Sequence, residues 1–203
     1  KRTNTKFLSV ALGFSAGVMI YVSMVEILPE ANETLIGAVG ANGGWLAILG
    51  FFVGIGMIML IDRLIPEPNN PHEAHTVEEM DGKSKHHKDK LMRMGVFTAI
   101  TIALHNFPEG IATFTAALSD PSLGIAIAIA IAIHNIPEGI AVSVPIFYAT
   151  GSRKKAFLYS FASGLAEPLG AIFAFLVLRN FLNDAVFGFI FAALARFYFV
   201  YYI

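Results

Sequence analysis

The octapeptide His-Asn-Phe-Pro-Glu-Gly-Ile-Ala at residues 105–112 occurs again, with Ile in place of Phe, at residues 134–141. The copies lie in two apolar runs, 95–118 and 124–148, separated by a short polar turn midway between the two histidines. As a helix rising about 1.5 Å per residue, each run is long enough to cross a bilayer core of about 30 Å. We therefore predict an antiparallel helical hairpin in which the two motifs face each other near the middle of a membrane.

Each motif places a histidine and a glutamate four residues apart, so that both side chains lie on one helix face. His105 would lie over Glu109 on the first helix, and His134 over Glu138 on the second. An imidazole and a carboxylate from each of two facing helices supply four ligands for a divalent transition metal such as Zn²⁺. The hairpin is therefore predicted to carry a metal site inside the membrane.

Proline follows two residues after the first histidine-asparagine pair and again after the second. Because proline lacks an N–H, Pro108 frees the carbonyl of Leu104, and Pro137 frees that of Ile133. Freed carbonyls are tolerated in lipid only where something polar, such as an ion path, satisfies them. The alternative is a pair of kinked helices, each with one hydrogen-bonded polar pair. Ionisable groups at bilayer depth are costly and mark functional sites, which favours the metal site.

The composition predicts an integral membrane protein of the all-α class. Hydrophobic residues make up 56% of the 203 residues and charged residues 14%, and the mean hydropathy is +0.65. The net charge of −1 gives no reason to expect nucleic acid as a partner, and the absence of cysteine excludes disulfides and thiolate metal sites. The chain begins at Lys1 and enters an apolar run almost at once, which predicts a fragment with a further segment upstream.

The hydropathy pattern predicts that residues 1–203 form a single domain of six membrane-spanning helices. Pro29 is predicted to end the first, and residues 30–43 to form a polar loop. Residues 66–93 read as a hydrophilic linker, in which the histidines are either weak metal ligands or part of a solvated segment. The predicted spans are 7–28, 44–65, 95–118, 124–148, 156–178 and 185–203, and the linker histidines are His72, His75, His86 and His87.

The predicted spans contain four further polar residues that the sequence singles out. Glu167 stands next to a proline in the middle of the fifth span and is predicted to be a fifth acidic or bridging metal ligand. Ser23 and Glu26, near the end of the first span, are candidates for the ion path, although Glu26 could also reach the membrane interface. Arg196 interrupts the sixth apolar run, and the sequence offers no reason for its position.

Lysine and arginine are concentrated in alternate connections, which predicts the orientation of the chain. The 30–43 and 119–122 connections contain neither residue. The start of the chain, the 66–93 linker and the 150–155 turn are therefore predicted to be cytoplasmic, since they contain Lys1, Arg2, Lys6, Lys83, Lys85, Lys88, Lys90, Arg93, Arg153, Lys154 and Lys155.

The two repeated motifs, followed one span later by Ser-Gly-Leu-Ala-Glu-Pro-Leu-Gly at residues 163–170, resemble the ZIP (Zrt/Irt-like) divalent metal transporters, in particular their bacterial ZupT-type branch. The resemblance implies eight transmembrane helices, of which the six spans would be the second to the seventh. It also implies a homodimer in the bacterial inner membrane that moves metal into the cytoplasm by an elevator-like shift of one helix group. The expected cargo is Zn²⁺, with Fe²⁺, Mn²⁺, Co²⁺ and Cd²⁺ as further substrates.

The resemblance also implies a binuclear site. One metal would be held by the two His-Glu pairs, and the second by an adjacent set in which Glu109 and Glu138 bridge to Asn106, Asn135 and Glu167. The competing function is a membrane-embedded metallohydrolase that uses the same ligands. Because the sequence has no His-Glu-x-x-His signature and the ligand helices are broken by proline, a transporter and not an enzyme is predicted.

Overall fold

The computed structural model describes residues 5–64, 84–181 and 183–200, and over these ranges it contains helices and no strand. The all-α prediction is confirmed. A π-helical stretch, Val22–Ile27, joins the first two helices, and short 3₁₀ turns occupy Gly40–Asn42 and Leu178–Asn180. The α-helices are α1 (Thr5–Tyr21), α2 (Leu28–Val39), α3 (Gly43–Leu64), α4 (Lys85–Ser119), α5 (Pro121–Thr150), α6 (Arg153–Gly164), α7 (Ala166–Leu176) and α8 (Asp184–Val200).

Helices α4 and α5 form the predicted antiparallel hairpin. Asp120 alone separates them, and its carboxylate accepts a hydrogen bond from the Ser122 N–H at 2.7 Å, which caps the start of α5. Next to this turn, Gly124 lies so close to Ala117 that an added Cβ would be 2.5 Å from the Ala117 Cα. At the other end of the hairpin, Gly95 packs against Ile146. Small residues at both ends thus hold the two motif-bearing helices in close contact.

Two apolar clusters lie along the hairpin, one on each side of the motifs. The turn-side cluster packs one face of the hairpin against α1, α2 and α8, and its hairpin members are Ala112, Ala116, Ile127, Ala130 and Ile131. The far cluster consists of Ala99, Ile102, Val142, Ile146 and Ala156 of α6. Positions 102, 105, 109 and 112 follow one another at helical spacing, so the motif residues and both clusters share a face of α4. The polar motif residues therefore lie between two layers of apolar side chains.

The remaining helices pack through glycine contacts of the kind seen between helices in membranes. An added Cβ on Gly54 of α3 would lie 2.2 Å from the Ala193 carbonyl oxygen of α8. An added Cβ on Gly188 of α8 would lie 2.7 Å from Leu35 Cγ of α2. Helix α8 therefore packs against both α2 and α3.

Three helical stretches in the described ranges are long and apolar enough to cross a membrane: Gly13–Leu60, Pro121–Thr150 and Arg153–Leu176. The first has 48 residues and overlaps both of the first two predicted spans. The predicted third span lies within α4 but is not among the three stretches. The apolar part of α8, Asp184–Ala195, is shorter. The number of six spans therefore stays a prediction.

The predicted loop at 30–43 is wrong for most of its length, because α2 continues to Val39. Pro29 lies in the first turn of α2 instead of ending a helix, and proline is tolerated there because the first N–H groups of a helix need no partner within it. Ala31 and Leu35 are fully buried. Polar residues on the opposite face of α2 gave this segment its loop-like composition.

The C-terminal boundary of the predicted 66–93 linker is also wrong, because α4 begins at Lys85. The Ser84 hydroxyl accepts a hydrogen bond from the His87 N–H at 3.1 Å and so caps the helix. His86 and His87 consequently lie in the first turn of α4. Residues 65–83, including His72 and His75, are outside the described residues.

The fifth predicted span, 156–178, is divided into α6 and α7 by a turn at Leu165. Pro168 explains the break, since it has no N–H to donate to the carbonyl of Gly164 four residues earlier. The predicted sixth span, 185–203, corresponds to α8, which includes Arg196; the side chain of Arg196 and residues 201–203 are outside the described part of the chain.

Candidate metal centre

The His-Glu pairs of the two motifs converge between α4 and α5. His105 Nε2 lies 3.1 Å from Glu109 Oε1, and His134 Nε2 lies 3.2 Å from Glu138 Oε1. Across the hairpin, His134 Nε2 is 4.0 Å from Glu109 Oε1, and the two imidazole centroids are 6.0 Å apart. All four side chains are at most 4% exposed. The structure thus brings together all four residues that the repeated motif predicted.

The spacing of potential ligand atoms from three of these four residues suits a single metal ion. Ligand atoms from His105, His134 and Glu138 all lie within 4.8 Å of one another. Nitrogen and oxygen ligands at about 2.0–2.1 Å from a tetrahedral Zn²⁺ would be separated by about 3.3 Å. Small side-chain movements would therefore give a first coordination shell, and the residue types, imidazole and carboxylate, are ligands that Zn²⁺ accepts.

Ser15 of α1 contacts the ring nitrogen of His134 that does not face Glu138. Its Oγ lies 2.8 Å from His134 Nδ1, and Ser15 is 1% exposed. If Nε2 ligates a metal, the ring proton must lie on Nδ1, which then donates to the serine oxygen. Ser15 is not among the site residues that the sequence predicted. Nothing in the Gly13–Gly17 stretch distinguishes a serine that contacts an imidazole from one that merely permits close packing.

The other three predicted ligands lie next to the His-Glu group but make hydrogen bonds to other partners. Asn135 Nδ2 donates to Glu167 Oε2 at 2.8 Å, so these two predicted ligands are in direct contact. Asn106 Nδ2 donates to the backbone carbonyl of Ser163 at 3.3 Å. Within the described ranges, the Oδ1 atoms of both asparagines are buried without a hydrogen-bond partner. These two oxygens are the amide atoms that would ligate a cation.

A reciprocal backbone contact between α4 and α7 places Glu167 beside the motifs. An added Cβ on Gly110 would lie 1.8 Å from the Glu167 carbonyl oxygen, and one on Gly170 would lie 2.0 Å from the Phe107 carbonyl oxygen. Both glycines stand two residues after a proline, in Pro108-Glu109-Gly110 and Pro168-Leu169-Gly170. Only glycine allows the two backbones to approach this closely.

The remaining candidate residues do not belong to this group. Ser23 is fully buried on the π-helical stretch and donates its hydroxyl to the Ala195 carbonyl of α8, whereas Glu26 is half-buried on the same stretch. His86 is exposed and His87 is half-buried, both far along α4 from the motif. In the part of the chain that the structure describes, none of these four is in the cluster of potential metal ligands.

Comparison with known proteins finds a matching family model and similar sequences. Residues 62–193 match the family model described as "ZIP Zinc transporter". The "Zinc transporter ZupT" of Lysinibacillus sphaericus is 63% identical over 196 residues, which cover 96% of this chain and 73% of that protein. The proteins of the same name from Oceanobacillus iheyensis and Clostridium perfringens are 64% and 56% identical, with 96% of this chain and 74% and 73% of those proteins covered. No solved structure matches the chain.

Proposed function

Since this chain belongs to the ZIP zinc transporter family, in its ZupT branch, we propose that it carries Zn²⁺ across a membrane through the site formed by His105, Glu109, His134 and Glu138. The family consists of integral membrane transporters, so the prediction that the chain is not an enzyme is confirmed. The relatives carry zinc in their names, and the transfer of that substrate to this chain is part of the proposal.

The observation that carries the proposal is the convergence of two imidazoles and two carboxylates in a fully buried position between two apolar clusters. A cation that leaves water for such a position needs ligands and compensating negative charge. Glu109 and Glu138 provide both, and His105 and His134 favour a transition metal over Mg²⁺ or Ca²⁺.

The adjacent group formed by Asn106, Asn135 and Glu167 supports a second position for the ion. Its two amide oxygens are neutral and hold Zn²⁺ less tightly than carboxylates would, which permits release. In this proposal Glu109 and Glu138 bridge the two positions, and the ion passes between them by exchanging ligands. Weaker, more neutral ligation also favours acceptance of Fe²⁺, Mn²⁺, Co²⁺ and Cd²⁺.

The proposed orientation, location and assembly of the protein rest on the charge pattern and on the family. The lysine and arginine residues near α4 and α6 support a cytoplasmic location for the 66–93 linker and the 150–155 turn. In this proposal the protein lies in a bacterial inner membrane and moves metal inward. The proposal also includes six membrane-spanning helices in this chain, out of eight in a complete transporter. It further includes assembly as a homodimer.

Zinc uptake by purified protein in liposomes tests the function directly. Liposomes containing a zinc-sensitive dye and the intact chain should become fluorescent on addition of external Zn²⁺. Liposomes containing the His105→Ala/His134→Ala variant at equal density should not. A matched control is His86→Ala, which removes an exposed histidine from the same helix. Equal uptake by the double variant would overturn the proposed site.

A further inference from the structure

A groove opens between the C-terminal half of α5 and the first turns of α6. Its volume is about 490 Å³, which is enough for part of a lipid molecule. Val144, Phe147 and Phe157 form apolar walls, Tyr148 and Arg153 lie toward the helix ends, and Ser160 lies two turns further along α6. The groove therefore combines a long apolar surface with a cation at one end.

The charge at that end is positive and is not balanced nearby in the sequence. Arg153 is the only charged residue among the described residues that line the groove, and the exposed Lys154 and Lys155 follow it directly. The sequence has no Asp or Glu between Glu138 and Glu167. The antiparallel hairpin also brings the start of α4 to the same end of the molecule, where Asp89 offsets part of the charge of Lys88 and Lys90. An anionic group is the complementary ligand.

The position of the groove relative to the membrane selects the type of anion. Two stretches that qualify as membrane spans, Pro121–Thr150 and Arg153–Leu176, meet at this point, so the charged end lies at the interface. Ser160 is seven residues along α6 from Arg153, or roughly 10 Å into the bilayer. Tyr148 lies where interfacial aromatic residues are usual. A phosphate at the interface with hydrocarbon below it has the chemistry of a phospholipid.

We propose that this groove binds one anionic phospholipid, with its phosphate at Arg153 and Lys154 and part of an acyl chain along Phe147 and Phe157. The inner end of the groove reaches the helix that carries the metal motif. Ser160 Oγ donates to the Gly139 carbonyl at 3.2 Å, one residue after Glu138. A lipid in the groove therefore stabilises the packing of α6 against the motif-bearing part of α5 and raises the thermal stability of the protein.

Thermal unfolding of the intact chain in detergent tests this proposal. Phosphatidylglycerol, added well above its dissociation constant, should raise the unfolding midpoint by roughly 3–5 °C. Phosphatidylcholine should raise it by less than half as much. Arg153→Gln/Lys154→Gln should lose most of the phosphatidylglycerol shift, whereas Lys88→Gln/Lys90→Gln, with the same charge change at the same end, should keep it.

A second variant separates the groove from general surface charge. Ser143→Leu fills the groove without a change in charge and should reduce the shift, as should removal of the acyl chains by use of glycerol 3-phosphate. Equal shifts with both lipids, equal loss in both double variants, or a full shift with glycerol 3-phosphate would overturn the proposal. A change of oligomeric state in Ser143→Leu, with the lipid shift intact, would assign the groove to a second copy of the chain instead.

Discussion

Glu109 and Glu138 are the two side chains on which both proposed ion positions depend. Each lies within 3.2 Å of its motif histidine and is buried. Glu109→Ala or Glu138→Ala should lower zinc uptake to the background level, because too little negative charge then remains to offset the loss of the ion's hydration. Uptake is measured in liposomes at equal protein density.

Asn106→Ala gives the matched comparison, since it removes a neutral ligand from one position only. Its uptake should remain within about tenfold of the unchanged protein, by analogy with the loss of a single supporting contact at a metal site. Normal uptake in Glu109→Ala/Glu138→Ala would show that the ion takes another route.

Ser15 acts on the site through His134 and not by contact with the ion. Ser15→Ala should raise the zinc concentration for half-maximal uptake by about 10–100-fold and change the maximal rate little, because the imidazole loses the partner that orients it. Ser15→Thr keeps a hydroxyl and should recover much of the affinity. A fall in maximal rate alone, or no difference between the Ala and Thr variants, would contradict this role.

The two His-Glu pairs could be predicted from the sequence because the motif occurs twice and fixes its own geometry. Four-residue spacing puts each pair on one face, and the position of the turn brings the faces to the same depth. Ser15 is 119 residues from His134, and its contact depends on how α1 packs against α5. A local pattern contains no information about such a contact.

Among the helices, the crossing of α4 and α7 controls where Glu167 lies. Gly110→Ala should lower the thermal midpoint, because the new methyl group would lie 1.8 Å from the Glu167 carbonyl and must push the helices apart at a cost of about 1–3 kcal/mol. Zinc uptake should fall by more than the loss of folded protein alone explains, since Glu167 moves away from the motifs.

Gly56→Ala is the matched control for this substitution. Gly56 also lies within a helix, but nothing is within 4 Å of the position that its Cβ would occupy. Both variants should be compared with Gly170→Ala, which affects the same crossing from α7. Equal stability and uptake of Gly110→Ala and Gly56→Ala would mean that the crossing does not position Glu167.

The helix boundaries were predicted less well than the motifs, for reasons that are local and physical. Pro29 and Pro168 have different effects on the chain: the helical chain continues through Pro29 into α2, whereas it breaks between α6 and α7 just before Pro168. Which effect occurs depends on whether the carbonyl four residues earlier needs that N–H. Similarly, the charged residues after Ser84 form a helix because Ser84 caps it and Leu91 is buried. Composition alone favoured a linker.

At the scale of the whole molecule, the histidines outside the motifs should modulate zinc uptake without being required for it. Replacement of His72, His75, His86 and His87 together by Ser should leave the initial rate at low zinc within about threefold. Adjacent side chains on a helix do not face each other, so His86 and His87 cannot readily share an ion. Loss of all uptake, with the protein folded and inserted, would place the linker on the ion path.

The orientation of the molecule can be tested with single cysteines, because residues 1–203 contain none. Ser122 is exposed at the turn between α4 and α5, and Lys154 is exposed at the opposite end of the hairpin. In spheroplasts, a membrane-impermeant maleimide should label Ser122→Cys at once and Lys154→Cys only after lysis, since basic residues remain on the cytoplasmic side. His86→Cys, at the start of α4, should behave like Lys154→Cys, because the antiparallel hairpin places the two positions at the same end. Labelling of Lys154→Cys in intact spheroplasts would invert the orientation, and different behaviour of His86→Cys and Lys154→Cys would mean that α4 and α5 do not both cross the membrane.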